Sequence, residues 1–187
     1  MKKYKVGFTT GVFDLFHVGH LNLLERCKEL CDYLIVAVCG DDYVTQVKKK
    51  TPVFTEDERI RIIGALKCVD EVSTITLDEI DDKMKAWERF HFDVLFSGDD
   101  WKGSERYNRT EEQFSKVGVS IEYLPYTKGV STTEIKKKLT RIIKWRWNNK
   151  KNLHRNDFVV ELSYNIKSEM KLSIWILLIL HWYTRKV

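Results

Sequence analysis

Two histidines, separated by Val18 and Gly19, stand at the most informative position of this sequence. His17 and His20 follow an apolar stretch, residues 4–9, that predicts a buried first strand, and they open a helical pattern rich in leucine. Residues three apart share one face of a helix, and at a helix N-terminus their ring N–H groups join free backbone donors and the positive end of the helix dipole. This combination is suited to binding an anion, and phosphate is the first candidate.

The turn before the histidines supplies further ligand-binding candidates. Thr10, Gly11 and Phe13 line this turn, where a glycine lets the backbone approach a ligand closely. Asp14 follows them, and we predict that it orients the loop rather than acting as a general base.

A basic loop forms the second segment of interest. Lys48, Lys49 and Lys50 precede a predicted helix start, at which Thr55 is the N-cap and Glu58 completes a capping box. The lysines of such a loop are able to contact phosphates. Taken alone, however, they are equally consistent with an ordinary solvated surface loop.

A glycine and two aspartates end another apolar run. Gly98, Asp99, Asp100 and Trp101 come directly after Ser97. A carboxylate at this strand end would accept from an amino or hydroxyl group of a ligand, or help to hold a metal ion. Trp101 would pack over a base or close the pocket, whereas Gly-Asp-Asp by itself is an ordinary turn sequence.

The fourth segment opens the last predicted helix. Ser131 and Thr132 stand at its start, preceded by Thr127 and Gly129. Their hydroxyls and the free N–H groups of the first turn are able to bind phosphates, and the same residues make an ordinary helix cap.

The elements that must position these segments alternate along the first 140 residues. The predicted strands are residues 4–9, 33–38, 69–74, 93–97 and 119–124. The predicted helices are about residues 18–31, 55–67, 79–91, 109–117 and 131–146. Apolar strands separated by amphipathic helices imply an α/β fold, a Rossmann-like doubly wound parallel sheet of about five strands. Ligands bind such sheets beyond the carboxyl ends of the strands, where all four segments fall.

Charge and composition divide the chain near residue 140. Residues 141–187 carry ten Lys or Arg and three Asp or Glu, whereas residues 1–140 carry 22 and 24. The basic excess therefore belongs to the tail, and nucleic-acid binding by the main domain has no support from charge. We predict a catalytic domain, 1–140, and a basic, Trp-rich tail, 141–187.

Three interpretations fit this tail. Its apolar run, residues 172–180, is shorter than the roughly 20 residues that span a bilayer. The tail would be a peripheral membrane anchor, a self-association segment, or an extension without an evolved role.

The cysteines and the N-terminus predict a cytoplasmic protein. Cys27, Cys31, Cys39 and Cys68 lack the spacing of metal ligands, and buried reduced thiols explain them most simply. The residues after Met1 do not resemble a secretory signal.

Together, the four segments resemble the cytidylyltransferases of the HxGH nucleotidyltransferase superfamily. Residues 11–20 match GxFDxxHxGH, and residues 126–133 resemble the second signature, RTxGxSTT. Residues 98–101 resemble a segment found particularly in glycerol-3-phosphate cytidylyltransferases. The segments occur in family order and cover about residues 1–140.

The resemblance implies transfer of CMP from CTP to a phosphorylated alcohol, most simply glycerol 3-phosphate. Mg²⁺ would accompany CTP, and the sequence itself shows no readable protein metal site. It implies a homodimer and catalytic roles for His17, His20 and Lys49. The residues implied in nucleotide binding are Thr10, Gly11, Phe13, Asp14, Arg59, Asp99, Thr127, Gly129, Ser131 and Thr132. Those implied in acceptor binding are Asp100, Trp101 and Tyr126.

One position departs from the family signature, because Tyr126 stands where the signature has arginine. Either Lys128 supplies the missing charge, or the acceptor differs. The alternative functions are transfer to choline or ethanolamine phosphate, adenylyl transfer to a sugar phosphate, and nucleotide binding without catalysis.

Overall fold

One parallel sheet forms the centre of the protein. The structure is a computed structural model that describes residues 2–47, 49 and 51–149, with side chains up to residue 146. Its strands are β1 (Tyr4–Gly11), β2 (Cys31–Cys39), β3 (Glu71–Ile75), β4 (Val94–Gly98) and β5 (Ser120–Leu124). They are ordered β3-β2-β1-β4-β5, and every pairing is parallel. The predicted α/β doubly wound sheet is confirmed.

Helices connect the strands. They are α1 (Val18–Leu30), α2 (Asp41–Gln46), α3 (Glu56–Gly64), α4 (Leu77–Asp81), α5 (Lys83–Phe90), α6 (Glu105–Ser115) and α7 (Thr132–Asn149), with a 3₁₀ turn at Asp99–Trp101. The capping box predicted for α3 is present, since Thr55 and Glu58 each accept from the backbone N–H of the other.

One helix was missed and two local predictions were wrong. Helix α2 was not predicted, because six residues are too few to show a helical period. The helix predicted over residues 79–91 is two helices, since the Asp82 carboxylate caps α5 by accepting from Met84 N–H. Cys31, which was placed in the first helix, is the first residue of β2 and is fully buried.

The helices cover both faces of the sheet. On one face, Leu24 of α1 and Ile63 of α3 belong to the same buried cluster as Val36 of β2. On the other face, Ala86 of α5 and Phe114 of α6 pack with residues such as Phe8 of β1. The hydrophobic effect therefore fixes helices on each side, as a doubly wound sheet requires.

The direction of winding changes next to β1. Gly7 of this central strand pairs with Leu34 of β2 on one side and with Val94 of β4 on the other. Successive connections run outward in opposite directions from this point, so the loops after β1 and β4 separate and leave a crevice. Ligands of open parallel sheets bind in such a crevice.

The chain divides by its internal contacts into residues 1–137 and residues 138–187. Helix α7 continues past the boundary predicted near residue 140. The apolar run at residues 172–180 and most of the tail lie outside the described residues. In the part of the chain that is described, no helix is long and apolar enough to cross a membrane.

Candidate active site

A strained turn connects β1 to α1. Phe13 and Leu15 have left-handed backbones, with φ of 55° and 48°, and both side chains are buried. Non-glycine residues adopt this conformation at a cost, and they keep it where surrounding packing enforces it. A Cβ at Gly11 would lie 2.9 Å from Phe13 Cζ, so glycine is needed for the Phe13 ring to fold back over the end of β1. The turn is thus built to a fixed shape.

His17 is the N-cap of α1. Its Nδ1 accepts a 3.1 Å hydrogen bond from Gly19 N–H. Burial lowers the pKa of His17, so the ring is neutral at pH 7 and carries its proton on Nε2. The ring therefore offers one fixed N–H donor.

Gly19 is required by the position of this ring. A Cβ at Gly19 would lie 3.0 Å from His17 Nδ1 and 3.0 Å from Val130 Cγ1. Any side chain there would displace the histidine or the loop before α7. The glycine of the motif thus serves the geometry of His17.

His20 stacks on His17. The ring centroids are 3.8 Å apart and the planes differ by 16°, while Phe13 presents an edge-to-face contact at 5.3 Å. Burial, and next the charge of His17, lower the pKa of His20 to about 3. Two neutral rings can stack this closely, whereas two imidazolium ions would repel each other.

His20 Nδ1 is buried and has no hydrogen-bond partner among the described residues. A buried polar atom without a partner is costly and commonly marks a place where a ligand or water binds. The pair is therefore arranged as a neutral donor and acceptor site.

We expect His20 to remain neutral from pH 8 to pH 5. Its unfolded pKa is near 6.5 and its folded pKa is about 3, so the unfolded chain binds a proton first. Protonation of His20 in the unfolded chain therefore lowers the free energy of unfolding as pH falls from 6.5 towards 3. Histidine Cε1–H shifts measured by NMR, with His20→Asn as the assignment variant, check this. A midpoint near 6.5 for His20 would contradict it.

Asp14 joins three segments of the chain. Its Oδ1 accepts from Val53 N–H at 2.9 Å and Phe54 N–H at 3.1 Å, and its Oδ2 pairs with Lys136 Nζ at 3.0 Å. Its backbone carbonyl accepts from the Thr132 hydroxyl at 2.9 Å. The side chain is buried. The predicted orienting role fits this geometry, because both carboxylate oxygens are already engaged.

Arg59 lies beneath the same turn. Its guanidinium is fully buried and pairs with Asp41 at 2.6 Å. It also donates to the carbonyls of Val12 and Cys39, both at 2.7 Å, and to that of Phe54 at 3.2 Å. Arg59 thus ties the ends of β1 and β2 to the basic loop. Direct contact with a nucleotide would require it to leave these partners, so the nucleotide-binding role stays a prediction that this arrangement does not favour.

The basic loop carries Lys49 in an exposed position. Its backbone is left-handed, with φ of 50°. With the described residues Lys49 forms no hydrogen bond or ion pair. The loop is anchored a few residues later, where Val53 and Phe54 bind Asp14. The catalytic role of Lys49 stays a prediction.

The N-terminus of α7 lies beside the histidine turn. Ser131 Oγ caps the helix by accepting from Glu134 N–H at 3.1 Å, while the Thr132 hydroxyl is engaged with Asp14. Thr127 accepts from Asn22 of α1 at 3.3 Å, and Gly129 has a positive φ of 81°. The first N–H groups of a helix have no intrahelical partner, so α7 presents donors next to the histidines.

The residues predicted to bind the acceptor lie just after β4 and β5. Asp99, Asp100 and Trp101 are exposed. Trp101 stacks on Tyr107 at 5.5 Å. The ring of Tyr126 is 3.6 Å from where a Cβ of Gly98 would be, so Tyr126 stands beside this turn. The sequence signatures at residues 98–101 and 126 therefore meet in space.

The remaining position at this edge is the end of β1. Thr10 is half-buried, and its hydroxyl lies 3.6 Å from Cys39 Sγ at the end of β2. In residues 2–47, 49 and 51–149 no group of three or more His, Cys, Asp or Glu residues is arranged to hold a metal ion.

Sequence reasoning missed two cations, Lys83 and Arg106. Lys83 is 5% exposed, and its Nζ donates to the Ile80 carbonyl at 2.8 Å. Burial, and next the charge of Arg106, lower the pKa of Lys83 to about 8. The sequence around Lys83 did not indicate its burial, because Lys83 follows two aspartates and resembles a solvated helix start. A helix break recognised at Asp82 would have placed Lys83 at the start of a helix, at the carboxyl edge of the sheet.

Comparison with known proteins agrees with this geometry. Residues 8–138 match the family described as cytidylyltransferase-like. The chain is 38% identical over 134 residues to glycerol-3-phosphate cytidylyltransferase of Bacillus spizizenii strain W23, covering 72% of this chain and 96% of that protein. It is 37% identical over 131 residues to the Staphylococcus aureus protein of the same name, covering 70% and 92%.

A solved structure agrees as well. The lipopolysaccharide core biosynthesis protein of Thermoplasma volcanium GSS1 is 29% identical, with a TM-score of 0.55 over 68% of this chain and 99% of that one. From residue 8 to residue 138, this chain belongs to the cytidylyltransferase-like family of nucleotidyltransferases.

Proposed function

We propose that this protein transfers CMP from CTP to glycerol 3-phosphate, forming CDP-glycerol and pyrophosphate. The observation that carries the proposal is the stacked, neutral pair of His17 and His20 beside the N-terminus of α7. Similarity to two glycerol-3-phosphate cytidylyltransferases over more than nine tenths of their length supports the choice of substrates.

The reaction is an in-line displacement. A phosphate oxygen of the acceptor forms a bond to the α-phosphorus of CTP, and the bond from that phosphorus to the bridging oxygen breaks. Pyrophosphate leaves with the electron pair. The attacking oxygen is already anionic, so the enzyme needs no general base, and the engaged carboxylate of Asp14 agrees with this. Catalysis then consists of positioning and of stabilising the charge that develops.

The donor side provides hydrogen bonds. The Nε2–H of His17 would donate to an α-phosphate oxygen, with His20 beside it. Ser131 and the first N–H groups of α7 would hold the β- and γ-phosphates, and Lys49 would bridge phosphates. CTP would arrive as its magnesium complex, with Mg²⁺ held by the nucleotide's own phosphates.

The acceptor side lies on the other face of the sheet edge. Lys83 begins α5, which packs in the cluster opposite to α1. Among the described residues, the buried ammonium of Lys83 donates to a neutral carbonyl and to no carboxylate, which favours an anion nearby. We therefore assign Lys83 to the phosphate of the acceptor.

Tyr126 favours a second candidate acceptor. Its ring stands beside the turn at Gly98 and is 64% exposed, where the family signature has a charged arginine. Another phosphorylated alcohol would be accommodated by this change, with the same donor chemistry.

Pyrophosphate release tests the proposal. CTP and ATP are each incubated with glycerol 3-phosphate, choline phosphate, ethanolamine phosphate and a sugar phosphate. We expect turnover with CTP and glycerol 3-phosphate. Turnover only with another acceptor would support the second candidate. CTP binding without turnover across the panel would instead indicate a nucleotide-binding protein without catalysis.

We also propose a cytoplasmic homodimer, carried over from the resemblance to the family. Sedimentation velocity of the full chain at several concentrations would measure its mass. A concentration-independent monomer would contradict the dimer.

Flotation with anionic vesicles would test whether the tail, residues 141–187, makes the peripheral membrane contact that its composition allows.

A further inference from the structure

Two cationic side chains converge on one carbonyl oxygen at the carboxyl edge of the sheet. Lys83 Nζ donates to the Ile80 carbonyl at 2.8 Å, and Arg106 Nη2 donates to the same oxygen. The chain positions of the two cations are 23 residues apart, so the folding of α4, α5 and α6 alone brings them together. One neutral oxygen therefore accepts hydrogen bonds from two positively charged groups.

The only ion pair formed by these two cations among the described residues is an exposed one, between Arg106 and Asp81. Lys83 and Arg106 lie in the first turns of α5 and α6, where the positive end of the helix dipole disfavours cations. Lys83 forms no ion pair with any residue that the structure describes. Asp81 pairs with Arg106 at 3.2 Å, but 74% of its side chain is exposed and the pair is screened by solvent. An anion placed between the two cations would relieve their repulsion.

The position of the pair links it to the transfer site. Lys83 lies within electrostatic range of the Cys39 thiol, and Cys39 Sγ lies 3.6 Å from the Thr10 hydroxyl at the end of β1. The pair thus lies on the α5 and α6 side of the crevice, whereas the histidines lie on the α1 side. An anion held there would be distinct from the CTP phosphates.

We propose that Arg106 is a second ligand of the acceptor's phosphate, next to Lys83, and that it sets the preference for a phosphate monoester. The inference rests on the proposed function. A monoester is mostly a dianion at pH 7, because its second pKa is near 6. Two cations match this charge, and the planar guanidinium binds two phosphate oxygens at once. This supplies on the acceptor side a fixed charge that Tyr126 does not provide.

Steady-state kinetics of Arg106→Gln tests the inference. We expect the KM for glycerol 3-phosphate to rise roughly 10- to 100-fold, the value of a charge-assisted hydrogen bond, with the KM for CTP unchanged. Arg106→Lys keeps the charge, so its KM for glycerol 3-phosphate should rise less. Arg109→Gln is the matched control, because Arg109 lies on the same helix, has a side chain that is 71% exposed, and forms an exposed ion pair with Glu105.

A role limited to capping α4 would give a different result. Loss of the bond to Ile80 would then lower the melting temperature and raise both KM values, or neither, and this would overturn the proposal.

A binding experiment separates this inference from the proposed function. The full chain is saturated with the non-reacting analogue α,β-methylene-CTP, and glycerol 3-phosphate is then titrated by calorimetry. Weaker binding by Arg106→Gln than by the wild type and Arg109→Gln supports the inference even if no turnover is found. Equal binding by all three, or binding by none, overturns it. Absence of turnover in the wild type contradicts the proposed function alone.

Discussion

Replacing His17 with alanine is expected to lower kcat for CMP transfer by roughly 10²- to 10⁴-fold, with a much smaller change in the KM for CTP. The neutral ring carries its proton on Nε2, because Nδ1 accepts from Gly19 N–H. This single donor would meet the α-phosphate, where negative charge increases only as the transition state forms. Removing it therefore affects the chemical step more than ground-state binding. Quenched-flow or steady-state measurement of pyrophosphate release gives kcat and the KM for CTP.

The side chain of His17 also caps α1, and the two roles must be separated. His17→Asn keeps an oxygen near the position of Nδ1 and is a good N-cap, but it cannot reach as far as Nε2. We expect the asparagine variant to keep its stability and still lose kcat, whereas alanine also loses about 1 kcal/mol of stability. Recovery of near wild-type kcat by asparagine would show that the histidine acts only as a cap.

Two further variants control for position and for surface effects. Gly19→Ala leaves both histidines present but places a Cβ 3.0 Å from the His17 ring, so kcat should fall without loss of the group itself. His91→Asn is the neutral control, because His91 is exposed at the end of α5 in a left-handed conformation that asparagine tolerates.

Asp14→Ala is expected to destabilise the protein by about 3 kcal/mol and to raise the KM for CTP. The change leaves the N–H groups of Val53 and Phe54 without their acceptor and removes the ion pair with Lys136. It also frees the basic loop that carries Lys49 from the turn. The destabilisation corresponds to a fall in melting temperature of roughly 6–12 °C for a chain of this size, measured by thermal unfolding with circular dichroism.

The ion pair and the loop anchor can be tested separately. Lys136→Met removes only the cation and leaves the bonds from Val53 and Phe54 to Asp14 in place. We expect it to cost less stability than Asp14→Ala. If Asp14→Ala melts at the wild-type temperature and binds CTP normally, the carboxylate does not hold these segments together.

Local pattern was enough to predict most of the fold. All five strands were predicted within about two residues of their ends. Strand β2 and the start of β4 are near-continuous apolar runs, and the edge strands β3 and β5 are short segments rich in β-branched and aromatic residues. The capping box at Thr55 and Glu58 was predicted because it is local chemistry over four residues. Helix α2 was not predicted, because its six residues contain too little of a helical period.

The sequence by itself determined the strand–turn–helix around His17 and His20, the order of the four candidate ligand-binding segments and the family. These depend on residues close together in the chain. Only the tertiary structure decided which side chains support the site. The pair of Asp14 and Lys136 spans 122 positions, and burial of the whole Arg59 guanidinium depends on the ends of β1 and β2.

The same holds for the neutrality of His20 and for the convergence of Lys83 and Arg106 on one oxygen. Burial and through-space charge set these properties, and both arise when distant segments pack around a sheet. A linear pattern records which residues are present but not what each will face, since strand order β3-β2-β1-β4-β5 places neighbours in space that are far apart in the chain.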